Sequence, residues 1–232
     1  MAIYLKTVFA VPMHCQDCTK DIDKALNNVN GIETVSYDLA KQLVSIEGSA
    51  PPSSIVQAIQ NTGRDAIVRG TGEPNSSAVC ILETYEPDKA TSPVRGLARL
   101  VKASSTSTLV DLTLTGMLPK STYFASIRAA GDISRGPLST GGVYRQLGSV
   151  TTDDKGVGQA FLVKENLPIW EMIGRALVVG QDADCKTMFL KDVVGVIARS
   201  AGVWENEKTV CSCSGKTVWE ERKDAVEKGI TV

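Results

Sequence analysis

The sequence is short of histidine, of long apolar runs and of any excess of one charge. Its 232 residues contain a single histidine, His14, so a metal site built mainly from imidazoles is excluded. The longest apolar stretches, such as 193–198, fall far short of the roughly 18 residues of a membrane-spanning helix. The formal net charge is -1 and the pI about 5.9, so no overall positive field would hold the chain on nucleic acid or on an anionic membrane.

The composition that is present fits a folded chain of one or two domains. Hydrophobic residues make up 43% of the chain, enough to bury a core. Residues 1–6 show no basic stretch followed by an apolar run and a small-residue cleavage site, so we expect no secretory signal. The six cysteines should then be mostly thiols, and we expect the protein in the cytoplasm.

Residues 1–70 have the pattern of a small α+β unit. Apolar residues between Cys18 and Val29 repeat at helical spacing, and Gly31 ends that helix. The predicted elements are, in order, a strand at 8–11, a helix at 18–29, strands at 35–39 and 43–46, a helix opened by 51–54 and a strand at 66–68. The order βαββαβ predicts a ferredoxin-like fold, in which two helices cover one sheet.

The rest of the chain changes character twice. Residues 71–77 read as a linker because they are rich in Gly, Pro, Asn and Ser. Residues 78–200 are predicted to be all-β, an antiparallel sandwich or barrel, with strands at 79–83, 96–101, 109–114, 123–127, 159–163 and 176–179. Residues 201–232 have too little apolar material for a core of their own, so we expect a short flexible tail that folds only against a partner.

A first thiol pair, Cys15 and Cys18, falls on the predicted loop between the first strand and the first helix. The two intervening residues let the loop turn both sulfurs toward one ion, and the helix start favours a thiolate at Cys18. Two soft ligands suit Cu(I), whereas structural zinc takes four ligands and no second pair lies nearby. A thioredoxin-type redox pair and two ordinary thiols are the alternatives.

The motif Met-X-Cys-X-X-Cys on the first loop of a βαββαβ unit resembles the heavy-metal-associated domains of copper carriers. This resemblance implies that Cys15 and Cys18 are ligands of Cu(I). We expect Met13 to pack beneath the loop as core, with ligation by its thioether as the alternative, and His14 to face solvent.

A second thiol pair, Cys211 and Cys213, lies in the tail. In extended backbone their Cα atoms would lie about 6.6 Å apart on one face, close to the upper limit of about 6.8 Å for a disulfide. A bond within the pair would be strained and prone to exchange with another thiol, while the reduced pair could chelate one Cu(I). The alternative is two surface thiols without a role.

Three segments of the middle part resemble Cu/Zn superoxide dismutase in their order and spacing: 131–132, 173–179 and 195–198. The resemblance implies a Greek-key β-barrel or sandwich. The positions at which that family places metal-binding histidines hold Ser126, Arg128 and Gly180, and residues 137–153 leave no room for its zinc-binding loop. With the one histidine in the first domain, dismutation by the usual site is excluded.

Taken together, the cysteine motifs and the dismutase-like part resemble the copper chaperones for superoxide dismutase, of the fungal type, along essentially the whole chain. The resemblance implies that the middle domain docks a Cu/Zn superoxide dismutase subunit in a heterodimer by imitating the dismutase homodimer, and the same surface allows a homodimer of this chain. Ala130 departs from the aromatic residue usual at its position. The residues that match the docking segments are Gly131, Asp132, Ile173, Gly174, Arg175, Val196, Ala198 and Arg199.

The same resemblance implies a reaction and a location. Cys15 and Cys18 would capture Cu(I), and Cys211 would form a mixed disulfide with the client that Cys213 resolves, which makes the tail pair candidate catalytic residues as well as candidate metal ligands. A fraction of the protein in the mitochondrial intermembrane space is allowed. A general thiol oxidoreductase and a binding scaffold with degenerate metal sites are the other function classes.

The remaining aromatic and thiol residues have less specific interpretations. Trp204 and Trp219 flank the tail pair and could anchor the tail on the client, as interface aromatics often do, or pack on the chain's own sandwich. Cys80 lies in a predicted strand and should be buried. Cys185 lies in a predicted loop and should be exposed.

Overall fold

The computed structural model describes residues 4–85, 93–206, 208–210 and 214–227. No helix in these ranges is long and apolar enough to cross a membrane. The elements are, in order, β1 (Leu5–Ala10), α1 (Gln16–Leu26), β2 (Ile32–Asp38), β3 (Leu43–Gly48), α2 (Pro52–Gln60), β4 (Ile67–Thr71), β5 (Ser77–Thr84), β6 (Val94–Lys102), β7 (Ser107–Leu114), β8 (Thr122–Arg128), β9 (Ser134–Pro137), β10 (Val143–Thr151), β11 (Gly158–Glu165), α3 (Ile169–Met172), β12 (Ala176–Gly180), β13 (Val193–Val196), β14 (Ala198–Arg199) and α4 (Val218–Glu227).

The first four strands form one antiparallel sheet in the order β2-β3-β1-β4. Because successive strand residues point to opposite faces, Phe9 faces the helices while Val8 and Ala10 lie on the other face. The core between the sheet and the two helices includes Phe9, Val44, Ile46, Ile22, Leu26, Ile55 and Ile59. This is the predicted ferredoxin-like unit, and one face of its sheet carries no helix of the unit.

Helix α1 ends at Leu26, short of the predicted end at Val29. Apolar spacing overestimated its length because Val29 still packs on the same core from the turn that follows the helix. In that turn the Val29 N–H donates to the Leu26 carbonyl at 2.9 Å.

The second sheet has nine strands, in the order β10-β8-β12-β13-β5-β6-β7-β11, with β14 paired to β5. The two strands at the ends of this order, β10 and β11, lie against each other, so the sheet curls into a barrel. Large side chains fill its interior, including Leu82, Leu100, Leu112, Leu114, Ile127 and Leu147. The predicted fold class, a ferredoxin-like unit followed by an antiparallel β-barrel, is confirmed.

Strand β10 was not predicted. Only Leu147 and Val150 are buried along it, and register shifts interrupt its pairing with β8. The irregular spacing removes the alternation of period two on which strand prediction depends.

The two sheets are joined through Asp111 of β7. Its buried carboxylate accepts hydrogen bonds from the backbone N–H and the hydroxyl of Ser53, at 2.9 and 2.6 Å. Ser53 lies in the first turn of α2, where N–H groups lack partners within the helix and the helix dipole favours a negative charge. The guanidinium of Arg99 lies 3.9 Å from the same carboxylate. A barrel residue therefore caps a helix of the first unit.

Candidate functional site

Cys15 and Cys18 lie at the junction of the β1–α1 loop with α1. Cys15 directly precedes the helix and is exposed, and Cys18 lies half-buried in the first turn. Their Sγ atoms are 3.6 Å apart, too far for a disulfide bond of about 2.05 Å, and both are free thiols. Two metal–sulfur bonds of about 2.3 Å can span this gap. The pair can therefore hold one soft metal ion at the surface.

The surroundings of Cys18 favour its thiolate form. The backbone N–H of His14 contributes most to lowering the pKa of Cys18 to about 7, followed by the Arg64 side chain and by Cys15. Arg64 also pairs with Asp21, with 3.2 Å between Nη2 and Oδ2. Because metal binding requires deprotonated thiols, this pKa reduces the competition from protons at neutral pH.

Arg64 was not identified from the sequence. It lies in the turn after α2 and reaches Cys18 only because α1 and α2 pack side by side on the sheet. No spacing rule connects a residue in that turn to the cysteine motif, so the contact becomes visible only in the folded chain.

Met13 and His14, which precede the thiols, behave as predicted. Met13 is fully buried in the core that contains Phe9 and Ile22, which supports packing as its role. His14 is exposed, and its Nδ1 lies 3.3 Å from Nε2 of Gln42.

The three barrel positions at which the resemblance places dismutase metal ligands are buried, and other groups occupy the space at Arg128 and at Gly180. The Arg128 guanidinium donates to the carbonyl of Cys185 at 2.7 Å and to that of Gly141 at 2.5 Å. At Gly180, a Cβ atom would lie 2.6 Å from Cγ of Asp192. Ser126 is 1% exposed. Arg128 thus crosslinks two loops at a position where the resembling enzymes place a metal ligand.

Within the described ranges, no three or more His, Cys, Asp or Glu side chains come together as a metal site. The Cys15–Cys18 pair has only two ligands, which is the number that Cu(I) accepts.

The residues predicted to dock a client lie together on one side of the barrel. A Cβ atom on Gly131 would lie 2.0 Å from the Gly174 carbonyl oxygen and 3.6 Å from Cγ1 of Val196. The Gly174 N–H donates to the carbonyl of Ile197, whose own N–H donates to Arg175, both at 2.8 Å. The three segments therefore form one continuous surface.

Arg175 holds this surface together. Its Nη1 donates to the Ala129 carbonyl at 2.6 Å and its Nε to the Glu171 carbonyl at 2.8 Å, while the guanidinium lies 4.0 Å from the centre of the Tyr144 ring. Ile173, in the adjacent turn, is half-buried.

The other docking candidates lie at the edges of the same surface. The Asp132 carboxylate accepts a hydrogen bond from the Ser134 N–H at 2.9 Å, which fixes the loop. Ala198 and Arg199 are exposed in β14, and the Arg199 guanidinium bonds to the side chain of Asn75.

Trp170 was missed in the sequence analysis. It lies in α3, three positions before Ile173, and is 73% exposed. Its exposed ring, near Ile173 along the chain, makes it a further candidate for client binding, since tryptophan is frequent among interface hot spots. The sequence gives the tryptophan but not its outward direction, because α3 is too short for a clear periodic pattern.

The tail cysteines, Cys211 and Cys213, lie outside the described residues. On either side of them, Val210 and Thr217 form an antiparallel bridge. Thr217 then caps α4: its hydroxyl accepts from the Glu220 N–H at 3.2 Å, and its own N–H donates to the Glu220 carboxylate at 2.7 Å. The charged run 220–224 belongs to α4, which has no buried residue.

Trp204 and Trp219 lie against the first sheet. Both line a cavity of about 440 Å³ whose other walls include Val8, Ala10 and Arg69. Trp204 also borders a second cavity lined by 102–105 of the barrel. Trp219 therefore lies against the first unit rather than only on the barrel, where packing on the chain's own sandwich would place it. A role of Trp204 or Trp219 in client binding stays a prediction.

The two remaining cysteines have different outcomes. Cys80 is buried as predicted, and burial raises the pKa of its thiol to about 12. The prediction that Cys185 is exposed was wrong, since it is 3% exposed. Its loop is held inward because Arg128 binds the Cys185 carbonyl and the Cys185 N–H donates to Asp182 at 3.0 Å.

Comparison with known proteins finds a domain family for the first unit and relatives along nearly the whole chain. Residues 7–65 match the family of the heavy-metal-associated domain. The chain is 47% identical over 245 residues to a protein of Debaryomyces hansenii named Superoxide dismutase 1 copper chaperone, with 96% of each chain covered. A protein of the same name from Saccharomyces cerevisiae is 44% identical over 242 residues, with 97% of each chain covered.

More distant similarities extend beyond fungi. The Arabidopsis thaliana protein named Copper chaperone for superoxide dismutase, chloroplastic/cytosolic, is 36% identical over 230 residues, which cover 93% of this chain and 70% of that protein. Among solved structures, the clock protein EA4 is 21% identical with a TM-score of 0.44, over 54% of this chain and 96% of that one. The similarity to EA4 is too low to support a conclusion.

Proposed function

The chain belongs to the family of superoxide dismutase 1 copper chaperones, and we propose that it carries Cu(I) on Cys15 and Cys18 and delivers it to a Cu/Zn superoxide dismutase that lacks copper. The observation that supports this most directly is the geometry of the thiol pair. Cys15 is exposed and Cys18 half-buried, their Sγ atoms are 3.6 Å apart, and the pKa of the Cys18 thiol is about 7.

Two thiolates at the surface suit a carrier better than a permanent site. Cu(I) is held by soft ligands in low number, so an incoming ligand of the client can add before a carrier thiolate leaves. Cys15 is exposed and offers the side from which such a ligand approaches. Arg64, beside Cys18, offsets part of the negative charge of two thiolates on one monovalent ion.

Delivery requires that the carrier recognise its client, and we assign this to the barrel. The surface around Gly131, Gly174 and Val196, with Trp170 beside it, would bind one dismutase subunit in a heterodimer. Three features favour it: its segments are tied to each other by backbone hydrogen bonds, Arg175 fixes its edge, and Trp170 supplies a large exposed apolar group. A homodimer through the same surface would compete with the client.

We assign a second step to the tail. A disulfide between Cys211 and Cys213 would be attacked by a client thiolate, giving a mixed disulfide with Cys211 and a free Cys213 thiol. A second client thiol, rather than Cys213 as expected from the sequence, would then displace Cys211, because attack by Cys213 would return the client cysteine to its thiol. Two electrons and two protons pass from the client dithiol to the tail pair, the client gains its disulfide, and the tail pair ends reduced. The reduced pair is also a candidate ligand set for Cu(I).

We further propose that the chain has no dismutase activity of its own. Arg128 and Gly180 support this, because a guanidinium fills one former ligand position and a side chain at the other would collide with Asp192. The location expected from the sequence, the cytoplasm with a fraction in the mitochondrial intermembrane space, stays a prediction.

Activation of copper-free dismutase by the copper-loaded protein tests the main proposal. We expect activity to appear with the copper-loaded chain in the presence of a Cu(I) chelator that suppresses activation by free copper. No activation would refute the assignment even if copper binds. Failure to bind copper would favour a scaffold, and reduction of insulin disulfides would favour a general oxidoreductase.

Two substitutions separate docking from disulfide exchange. Cys211→Ser should leave complex formation intact and abolish formation of the client disulfide, as read by thiol labelling of the client; normal client oxidation would exclude the exchange step. Trp170→Ala should instead weaken complex formation by roughly 30-fold, the loss expected of an interface hot spot. Leu118→Ala, which truncates another exposed apolar residue outside the docking set, is its control.

A further inference from the structure

The C-terminal segment, defined here as the described residues within 201–222, is attached to the first unit by a buried arginine. Arg69 of β4 is 8% exposed, and its Nη2 donates to the carbonyl of Asn206 at 2.7 Å and to that of Lys208. Hydrogen bonds from a charged group are stronger than those between neutral groups. Because the acceptors are backbone carbonyls, this contact fixes the path of the segment rather than one side chain.

A second attachment lies beyond the tail cysteines. Nε of Arg222, in α4, is 2.9 Å from the Asp65 carboxylate, and the two side chains are 16% and 32% exposed. Trp219, one turn earlier in α4, lines the cavity against the first sheet. The chain is therefore fixed to the first unit both before and after Cys211 and Cys213.

A third attachment brings two backbones together. A Cβ atom on Gly70 would lie 2.2 Å from the Gly202 carbonyl oxygen, and one on Gly202 would lie 2.7 Å from backbone atoms of Glu73. The Val203 N–H donates to the Gly72 carbonyl at 2.8 Å. Only glycine permits this crossing without displacement of the segment.

The attachment has the character of a contact that can open. No residue of α4 is buried. Among the apolar residues of the described segment, only Val203 is buried, with 8% of its surface exposed. The cavity of about 440 Å³ beside Trp204 and Trp219 leaves the interface loosely packed. Regions with few buried apolar contacts open at a lower free energy than the core.

From these observations we propose that the helix-free face of the first sheet is a docking surface for the chain's own C-terminal segment, and that the segment is held there until a client is bound. Arg69 is the principal holding residue, and Arg222 with Asp65 secures the far end. The client part of this inference rests on the proposed function, because the thiols of the tail must come into bonding contact with those of the client.

Holding the segment restricts where its thiols can react. A chain fixed at both flanks of Cys211 and Cys213 samples a smaller volume than a free tail, which lowers the frequency of encounters with thiols elsewhere. Release by the client would then restore that reach at the moment when a mixed disulfide is required.

Hydrogen exchange of the full-length protein, followed by mass spectrometry, tests the dock without a client. Arg69→Met keeps much of the apolar stem but removes the donors, and Gly202→Ala blocks the backbone crossing. We expect each to speed exchange in 201–206 and 217–222 at least about tenfold, with the sheet of the first unit unchanged. Arg145→Met, an exposed arginine, and Gly142→Ala, a glycine with open space around it, are the controls and should have no effect.

Unchanged exchange of the segment in both variants would overturn the dock. Equal acceleration across the first sheet would overturn it as well, because the variants would then act by unfolding the unit rather than by releasing the segment. A Cu(I) titration of each variant provides a separate check that the Cys15–Cys18 loop remains folded.

The release step is tested by adding copper-free, disulfide-reduced dismutase and repeating the exchange measurement, with complex formation followed independently by light scattering. We expect protection of 201–206 and 217–222 from their contacts with the first unit to fall when the complex forms. The contrary result is that, in the complex, segment exchange in Arg69→Met still differs from that in the unaltered chain by as much as it does without the client. That result would show that the segment stays docked, and it would overturn release. Absence of a complex would overturn both the proposed client and the release step. The docking of the segment would still be decided by the exchange of the Arg69→Met and Gly202→Ala variants without client.

Discussion

The chain has two positions where its resemblance to metal proteins places copper, and an arginine lies at each. At the first, Arg64 lies beside the half-buried Cys18 and stabilises its thiolate, while Cys15 stays exposed. At the second, Arg128 is itself the buried group and donates to two loop carbonyls in the barrel. One arginine would support the proposed metal binding, while the other lies where the resemblance places a ligand.

The contacts of Arg128 extend to the loop that carries Gly131, one of the candidate docking residues. Arg128 donates to the carbonyl of Gly141. The residues on either side of Gly141 accept hydrogen bonds from the loop that precedes Gly131: the Thr140 carbonyl accepts from the Ala130 N–H, and the Gly142 carbonyl accepts from the Ala129 N–H. The guanidinium therefore supports the loop that presents Gly131. If the barrel binds a client as proposed, this crosslink would hold the binding surface in place without a metal ion.

The largest effect should come from removing the thiols at the first position. Cys211 and Cys213 are first changed to Ser so that only the first pair can bind copper. In that background, Cys15→Ser with Cys18→Ser should lower Cu(I) affinity by more than about 100-fold, because loss of a residue that only supports a ligand already costs roughly 10- to 100-fold. Hydroxyls are poor ligands for a soft ion. A competition titration with a Cu(I) chelator measures this loss, and retention of tight binding by the altered chain would place the copper elsewhere.

Restoring histidines at the second position should not recreate a copper site. The variant Ser126→His, Arg128→His, Gly180→His loses the loop crosslink and forces an imidazole against Asp192, which is held by the Phe189 N–H at 2.8 Å. Overpacking of this kind costs about 1–3 kcal/mol in unfolding free energy before the lost hydrogen bonds are counted. We expect a destabilised barrel without dismutase activity in denaturation and activity assays. A stable, active variant would show that only the ligands had been lost.

Removing the guanidinium alone should have a smaller effect. Arg128→Met leaves the buried carbonyls of Cys185 and Gly141 without their donor, but it also removes a desolvated charge, so we expect a net loss of about 2 kcal/mol. Denaturant unfolding of the barrel measures it, with Arg145→Met as the control. Stability equal to that of the control would mean that Arg128 is a filler rather than a crosslink.

The proximity of the two thiols at the first position was easier to predict than the contacts of the second, for a physical reason. Only two residues separate Cys15 and Cys18, so local spacing places their sulfurs near each other, where they could share one metal ion or form a redox pair. Arg64, Cys185 and Trp170 depend on which surfaces pack together, and no local pattern carries that information. Cys185 in particular was expected to be exposed because its loop is polar, whereas the Arg128 donors turn its backbone inward.

The C-terminal segment shows the same limit on a larger scale. Its sequence predicted a flexible tail in which Trp204 and Trp219 bind the client or pack on the chain's own sandwich, whereas the described part contains a helix, α4. The surface that Trp219 contacts was not predicted, because the helix-free face of the first sheet presents short side chains such as Val8 and Ala10, which do not reveal a partner. Arg69 was overlooked because a single arginine in a strand carries no pattern.

The smallest effect, and the sharpest test of the comparison, concerns Arg64. Its guanidinium favours the thiolate of Cys18, so Arg64→Met should raise the pKa of Cys18 from about 7 toward its ordinary value. In metal-free protein with Cys211 and Cys213 changed to Ser, the pH at which alkylation of Cys18 is half-maximal should move upward by roughly one unit, equivalent to about 1.4 kcal/mol. Cu(I) affinity, which falls as protons compete below the thiol pKa, should begin to fall at a higher pH in the variant. Arg64→Lys, which keeps the charge, should shift less. If Arg64→Met and the unaltered chain gave the same pH profile of Cys18 alkylation, the His14 N–H and Cys15 would account for the low pKa of Cys18 without Arg64. The arginine at the first position would then contribute no more to metal binding than the arginine at the second.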